Sequence, residues 1–227
     1  MEKNKSTVSF MEAFRIYKGD SFISQCAWLT LFSLITLAVY KFAFVFMGML
    51  GNGIEKKSES NLNFVIVALS CGVVVIFRLV LMNDKETPGG KYFRTVKGGF
   101  DTYAKAQIAF WAQTVAAVTT FLVIVLVLNA IGLLPIKRCV ISLISIFIFV
   151  FLGSAIASFF KMINNVSVRQ CIILLVFLIF YSPGLVVETV CDKMSPIFLG
   201  AAAAATVLLT IISEIVVLKN YKKKHWN

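Results

Sequence analysis

Residues 139–160 read CVISLISIFIFVFLGSAIASFF, a run of 22 amino acids without a charged side chain. An α-helix of this length rises about 33 Å, which is enough to cross the hydrocarbon core of a bilayer. A helix is the expected form because backbone N–H and C=O groups in hydrocarbon must be bonded within their own segment. The run also lacks the two-residue alternation of a lipid-facing barrel strand. The stretch therefore predicts a membrane-spanning helix.

Other apolar runs of comparable length lie at residues 26–50, 62–82, 108–132, 171–190 and 196–218. The whole 227-residue chain is 59% hydrophobic, which is well above the roughly 45–50% that is typical of soluble domains. The surplus apolar surface is expected to face lipid. The sequence thus predicts an all-α integral membrane protein with six transmembrane helices, in a single transmembrane domain at residues 1–227.

The distribution of basic residues predicts how the spans are oriented. If the N-terminus lies inside, sixteen of the 22 Lys and Arg residues flank the spans on the cytoplasmic side, and only five lie outside. Short cytoplasmic loops carry such an excess, so we expect both termini to be cytoplasmic. The net charge of +11 is then explained by anionic lipid headgroups, and nucleic acid is not expected as a partner.

The segment before the first span is predicted to form an interfacial amphipathic helix at residues 6–18. Phe10, Phe14 and Tyr17 recur at helical spacing, while charged side chains occupy the other faces. The following Gly19-Asp20-Ser21 offers a break and a possible cap. This break comes where the chain has to turn from the membrane surface into the bilayer.

The longest polar stretch is the cytoplasmic connection at residues 83–107. Pro88-Gly89-Gly90 predicts a turn near its start. Apolar side chains recur after this turn at helical spacing, at Phe93, Val96, Phe100 and Tyr103. Gly98-Gly99 predicts a break in this amphipathic helix, after which a second piece continues into the third span. A loop lying on the membrane surface is the alternative interpretation.

Motifs for catalysis and for metal binding are missing from the sequence. It contains one histidine, no Cys-x-x-Cys pair and no Gly-x-x-x-x-Gly-Lys-Ser/Thr loop for nucleotide phosphates. We therefore predict no catalytic residue, no metal site and no cofactor bound by this chain, and we do not expect an enzyme.

Polar side chains inside the predicted spans are candidates for a transport pathway or for coupling. An ionisable side chain at mid-bilayer costs roughly 2.5–3.5 kcal/mol on insertion scales. The candidates are Lys41, Arg78, Thr206, Thr210 and Glu214. Arg78 and Glu214 lie close to the cytoplasmic boundary, where snorkelling lowers this cost, and Lys41 lies at the outer end of the first span if that span starts near Phe22. Thr206 and Thr210 share one helix face, for which hydrogen bonds between helices are the alternative role.

The order of these parts resembles the membrane subunits of bacterial ABC transporters of the second type, along nearly the whole chain. The shared features are an N-terminal interfacial helix, six spans, short outer loops and a long connection after the second span. Glu86 with Gly89 or Gly90, followed by Tyr92-Phe93-Arg94, looks like the start of that family's connection.

The resemblance implies a permease subunit that exports a hydrophobic or amphipathic substrate, such as a peptide, an antibiotic or a lipid-like molecule, by alternating access. Its partners would be a soluble P-loop ATPase that carries ATP and Mg²⁺, a second permease subunit, and the bilayer of the bacterial inner membrane. The residues implied in the ATPase contact are Asp84, Glu86, Lys91, Tyr92, Phe93, Arg94 and Lys97.

A second resemblance leads to a different function. In the YesL-like family of six-span membrane proteins, an aromatic and basic connection also follows the second span, and the stretch Tyr92–Lys105 fits that pattern. This alternative implies a non-transporting membrane protein without an ATPase partner.

Overall fold

The computed structural model describes residues 8–50, 56–77, 99–160 and 195–225, with single positions at 88, 92, 167, 168, 170–172, 174 and 175. Within these residues the chain is helical and contains no strand, which confirms the all-α prediction. The principal helices are α1 (Phe10–Lys18), α2 (Phe22–Leu50), α3 (Lys56–Phe77), α4 (Gly99–Ala130), α5 (Cys139–Phe159) and α6 (Pro196–His225).

Four helices in the described part of the chain are long and apolar enough to cross a bilayer. These stretches are Phe22–Phe46, Gly99–Ala130, Cys139–Ile156 and Ile197–Asn220. They correspond to the spans predicted at 26–50, 108–132, 139–160 and 196–218, and they indicate a membrane-embedded protein.

The two other predicted spans are described only in part. Helix α3 carries a shorter apolar stretch, Glu59–Val73, which overlaps the span predicted at 62–82. Residues 78–82 of that span lie outside the described residues, as does most of the span predicted at 171–190.

Helix α1 is defined at both ends by local hydrogen bonds. At its start the Ser9 hydroxyl accepts from the Glu12 backbone N–H (3.2 Å), and the Glu12 carboxylate accepts from the Ser9 N–H (2.9 Å). Hydrogen bonds from the Ser9 backbone N–H and, to a smaller extent, from the Ser9 hydroxyl to the Glu12 carboxylate lower the pKa of Glu12 below its ordinary value. At the other end Gly19 takes the left-handed conformation (φ 85°) and its N–H donates to the Arg15 carbonyl. The predicted break after α1 is therefore present.

The apolar side of α1 packs against the first turns of α4. Phe14 and Tyr17 are fully buried, and the Tyr17 hydroxyl donates to the Gly99 carbonyl at 3.3 Å. Two of the three aromatic residues expected to face the membrane thus face protein, because α4 offers an equally apolar surface. Phe10 and Met11 remain exposed.

One end of the helix bundle, called here the termini end, carries both ends of the described chain. The Lys105 ammonium group donates to the Val8 carbonyl at 2.6 Å, which holds the chain before α1 against α4. The Lys222 ammonium group lies 5.2 Å from the centre of the Phe100 ring, so the last turns of α6 reach the first turn of α4. The described chain therefore begins and ends on the same side of the bundle.

At the opposite end, called here the loop end, residues 131–138 connect α4 to α5. Gly132 takes the left-handed conformation (φ 77°), its N–H donates to the Asn129 carbonyl, and the Leu133 N–H donates to the Leu128 carbonyl. This pair of bonds closes the end of α4 as a Schellman motif. The turn directs Leu134 and Ile136 into the main apolar core, where they are buried beside side chains of α3, α4 and α5.

Helices α5 and α6 pack side by side and run in the same direction. Leu199, near the start of α6, packs against Ile141, Ile144 and Ile148 in the first half of α5. Further along, the Thr210 hydroxyl donates to the Phe151 carbonyl at 3.2 Å. Consequently α5 ends towards the termini end, whereas α6 begins at the loop end.

Candidate functional site

Lys41 lies at the loop end and joins α2 to α3. Its ammonium nitrogen is 3.0 Å from Glu59 Oε1 and 2.7 Å from Asn63 Oδ1, and it donates to both oxygens. The Lys41 side chain is 26% exposed, so the carboxylate replaces part of its hydration. Glu59 lies in the first turn of α3, where the helix dipole favours a negative charge. The predicted candidate in the first span is thus paired within the protein.

Asn63 forms hydrogen bonds both with Lys41 and with the α4–α5 loop. Its side chain is fully buried, with Oδ1 accepting from Lys41 and Nδ2 donating to the Pro135 carbonyl at 2.9 Å. Turning the amide over would place its NH₂ group against the ammonium group and its oxygen against the carbonyl. The positive charge of Lys41 therefore determines which way the amide points.

Two more side chains form hydrogen bonds with the same loop. The Lys137 backbone N–H donates to the Ser60 hydroxyl at 2.7 Å. The Asn129 amide donates to the Leu134 carbonyl (3.1 Å) and to the Ile136 carbonyl (3.2 Å). We call Lys41, Glu59, Ser60, Asn63 and Asn129 the loop-end polar cluster.

Lys41 was predicted as a candidate from the sequence, whereas the other members of this cluster were not. Glu59 and Asn63 are four residues apart at the start of an apolar run, a spacing that places them on one helix face. This spacing was the available signal, and it gave no indication of which lysine would lie opposite.

The polar side chains of α6 form a second group, which faces α5. Thr206, Thr210, Ser213 and Glu214 are all buried. The Thr210 hydroxyl donates to the Thr206 carbonyl at 2.8 Å in addition to Phe151 on α5. The hydroxyl thus makes a bond between helices, as the helix-packing interpretation of this face expects.

Glu214 is only 5% exposed, so it lies inside the protein. The sequence predicts that Glu214 lies near the cytoplasmic membrane boundary, where snorkelling to the headgroups would lower the free-energy cost of its charge. Glu214 falls on the same face of α6 as Thr210 and Ser213, which are also buried.

Two glutamines of α4 were not predicted as candidates and are also buried. The Gln113 amide donates to the Phe22 carbonyl at the start of α2. The side-chain oxygen of Gln107 is buried without a hydrogen-bond donor. The amide of Gln113 thus contributes a bond between helices, whereas the Gln107 oxygen lacks the bond that would offset its burial.

The residues implied in the ATPase contact lie mostly outside the described residues, namely Asp84, Glu86, Lys91, Phe93, Arg94 and Lys97, as does the pathway candidate Arg78. Tyr92 is described, and its side chain is 66% exposed. It is therefore accessible to a partner in the described structure.

Within the described residues, no group of three His, Cys, Asp or Glu side chains is arranged to hold a metal ion. Cys139, at the first turn of α5, is buried and carries a free thiol. The loop-end polar cluster and the polar face of α6 provide directed hydrogen bonds, and the cluster also contains a partly buried ion pair.

Comparison with known proteins finds no matching family model, no similar curated protein and no similar solved structure.

Proposed function

We propose that this chain is the permease subunit of an ABC transporter of the second type, located in the bacterial inner membrane. It exports a hydrophobic or amphipathic substrate by alternating access, driven by a separate P-loop ATPase. The observation that supports this most is the packing of α1 against the first turns of α4. In a permease, the connection at 83–107 contacts the ATPase, and its last residues form the first turns of α4, so a displacement of that connection moves α1 and α4 together.

The described helices support six spans with both termini in the cytoplasm. Phe159 at the end of α5 lies towards the termini end, and Pro196 at the start of α6 lies at the loop end, because these two helices run in the same direction. The two ends of the intervening segment therefore lie at opposite ends of the bundle. This separation favours the span predicted at 171–190.

Exposed apolar side chains favour a position of α1 at the membrane surface. Phe10 and Met11 on α1 are exposed, and so are Ile23 and Trp28 in the first two turns of α2. Trp and other large apolar residues next to basic ones are typical of the boundary between headgroups and hydrocarbon. Arg15 and Lys18 in the last turn of α1 supply the adjacent positive charges.

The partners in this proposal are the ATPase, which carries ATP and Mg²⁺, and a second permease subunit. Affinity purification of the tagged full-length protein in mild detergent, followed by quantitative mass spectrometry, tests for both. We expect a soluble P-loop ATPase in stoichiometric amount. Recovery of this protein alone, also after crosslinking in intact membranes, would refute the transporter and favour the non-transporting six-span protein.

A matched pair of variants tests whether the connection makes the contact. Tyr92→Ala removes an aromatic side chain from the connection, and Trp28→Ala removes one that is equally exposed (67% against 66%) but lies on α2. Loss of one exposed aromatic anchor from an interface typically costs about 1–2 kcal/mol, or about tenfold in affinity. We expect Tyr92→Ala to reduce recovery of the ATPase and Trp28→Ala to leave it unchanged.

A further inference from the structure

The loop-end polar cluster has the geometry of a latch that closes one end of the bundle. Residues 131–138 bring Leu134 and Ile136 into the main core, where each is more than nine-tenths buried. Buried apolar side chains from a connecting loop fill space between helices that solvent would otherwise reach. The loop therefore acts as a plug at the loop end.

Helix α3 holds this plug through two hydrogen bonds. The Asn63 amide donates to the Pro135 carbonyl, and the Ser60 hydroxyl accepts from the Lys137 N–H. Ser60 lies one turn before Asn63 on α3, so both bonds come from one helix face.

Lys41 on α2 controls one of these two attachments, the bond from Asn63 to Pro135. Because its ammonium group donates to Asn63 Oδ1, the amide NH₂ is directed at Pro135. Glu59, one turn before Asn63 on α3, also holds the ammonium group, at 3.0 Å. A continuous chain of polar contacts thus runs from Glu59 through Lys41 and Asn63 to the plug.

We propose that Lys41 is the positioning residue of a latch that keeps the loop end of the bundle closed, and that the latch opens when α2 and α3 separate. The closure is a property of the bundle alone. Only its role as the outer gate of a transport pathway rests on the proposed function. A gate at this end would have to open once in each transport cycle.

Two buried cysteines already present in the chain report on the latch. Cys139 directly follows the plug and is 8% exposed, whereas Cys71 lies two turns below Asn63 on α3 and is 1% exposed. Opening of the plug uncovers Cys139 and leaves Cys71 buried, while global unfolding uncovers both. The experiment measures maleimide labelling rates of both thiols by peptide mass spectrometry, on full-length protein in nanodiscs.

We expect Lys41→Met to raise the labelling rate of Cys139 by about tenfold, the effect of losing one partly buried hydrogen bond to a charged group. Lys41→Arg keeps a cationic donor and should retain the slow rate. Lys137→Met removes a positive charge from the same loop but keeps the backbone N–H that bonds to Ser60, so it serves as the matched control. Slow labelling of Cys139 in Lys41→Met would overturn the latch.

The charge-swapped variant Lys41→Glu/Glu59→Lys separates the amide orientation from the ion pair. It restores the opposite charges, but a carboxylate at position 41 attracts the Asn63 NH₂ group away from Pro135. We expect Cys139 to remain fast-labelling in this variant. Recovery of the slow rate would show that the ion pair alone holds the plug and would overturn the role assigned to Asn63.

A milder variant covers the case in which Lys41→Met does not fold, which fast labelling of Cys71 would reveal. Ser60→Ala removes only the acceptor for the Lys137 N–H and should raise the Cys139 rate by a few-fold. An unchanged rate in Ser60→Ala would contradict the attachment of the plug to α3. These rates are measured without ATPase or substrate, so they stand apart from the test of transport.

Discussion

The Lys222 ammonium nitrogen lies 5.2 Å from the centre of the Phe100 ring, so the C-terminal part of α6 contacts the first turn of α4. This distance is in the range of a cation–π interaction. Since α1 packs on the same turns of α4, three segments that the sequence predicts to be cytoplasmic meet at one end of the bundle. A displacement of the start of α4 would therefore also displace α1 and the C-terminal part of α6.

The bond between Thr210 and Phe151 should contribute measurably to the packing of α6 on α5. Thr210→Val keeps the side-chain volume but removes the hydroxyl, and we expect the free energy of unfolding in detergent to fall by about 0.6 kcal/mol, and by no more than about 1.7 kcal/mol. The control is Thr120→Val, because the exposed Thr120 hydroxyl bonds only within its own helix. Equal losses in both variants would contradict a contribution of the bond between helices.

The two buried glutamines of α4 should respond in opposite directions to replacement by methionine. Gln113→Met removes the donor to the Phe22 carbonyl and should lower the free energy of unfolding by about 1–3 kcal/mol. Gln107→Met removes a buried oxygen without a donor, so we expect no loss or a gain of about 1 kcal/mol. Chemical unfolding followed by tryptophan fluorescence measures both. Comparable losses would show that the Gln107 side chain contributes to stability.

The attachment of α1 to α4 should depend on Phe14 and not on Phe10. Phe14 is fully buried beside Phe110, whereas Phe10 is half exposed. Phe14→Ala should cost about 3–5 kcal/mol and release α1, which limited proteolysis with trypsin would detect as faster cleavage after Arg15 and Lys18. Phe10→Ala, the matched control, should leave cleavage slow. If both variants are cleaved at the rate of the unchanged protein, the docking of α1 is not held by this face.

The start of α1 should loosen in acid. The pKa of Glu12 lies below its ordinary value because the Ser9 backbone N–H and the Ser9 hydroxyl bond to it. The ionised form therefore stabilises the helix above the ordinary Glu pKa of about 4.3. That stabilisation is lost as the pH falls through the lower folded-state value.

Hydrogen exchange of residues 9–13, corrected for the intrinsic pH dependence of exchange, measures this loosening. We expect protection in α1 to fall between about pH 5 and pH 3. Glu12→Gln keeps an acceptor at the same position but cannot titrate, so its protection should be independent of pH in this range. A fall of equal size in Glu12→Gln would assign the effect to other groups.

Local patterns in the sequence predicted much of the fold. The uncharged run at 139–160 and its counterparts predicted apolar helices, which are present as α2, α4, α5 and α6. A helix is also present before the first span, as α1 followed by Gly19, whereas its position at the membrane surface stays a prediction. These predictions succeeded because helix formation and membrane insertion depend on hydropathy, periodicity and caps within one segment.

The candidate site was predictable only in part. Lys41 was predicted as a candidate because a charge inside an apolar span costs free energy. Thr210 was predicted because it lies on a polar helix face. Asn63 and Ser60 gave no such signal, because short polar side chains are common at the ends of spans. The contact of Asn63 with Pro135 joins residues that are 72 positions apart, and nothing in either local sequence specifies this pairing.

The sequence by itself determined that this chain forms apolar helices suited to a bilayer, with a short helix ahead of them. Only the tertiary structure decided which apolar faces meet protein, because lipid and neighbouring helices accept the same side chains. It placed Phe14 and Tyr17 against α4, buried Glu214, and paired Lys41 with Glu59 and Asn63. Each of these outcomes depends on the packing of helices that lie far apart along the chain. Such packing brings groups together in space, and their separation along the chain does not predict it.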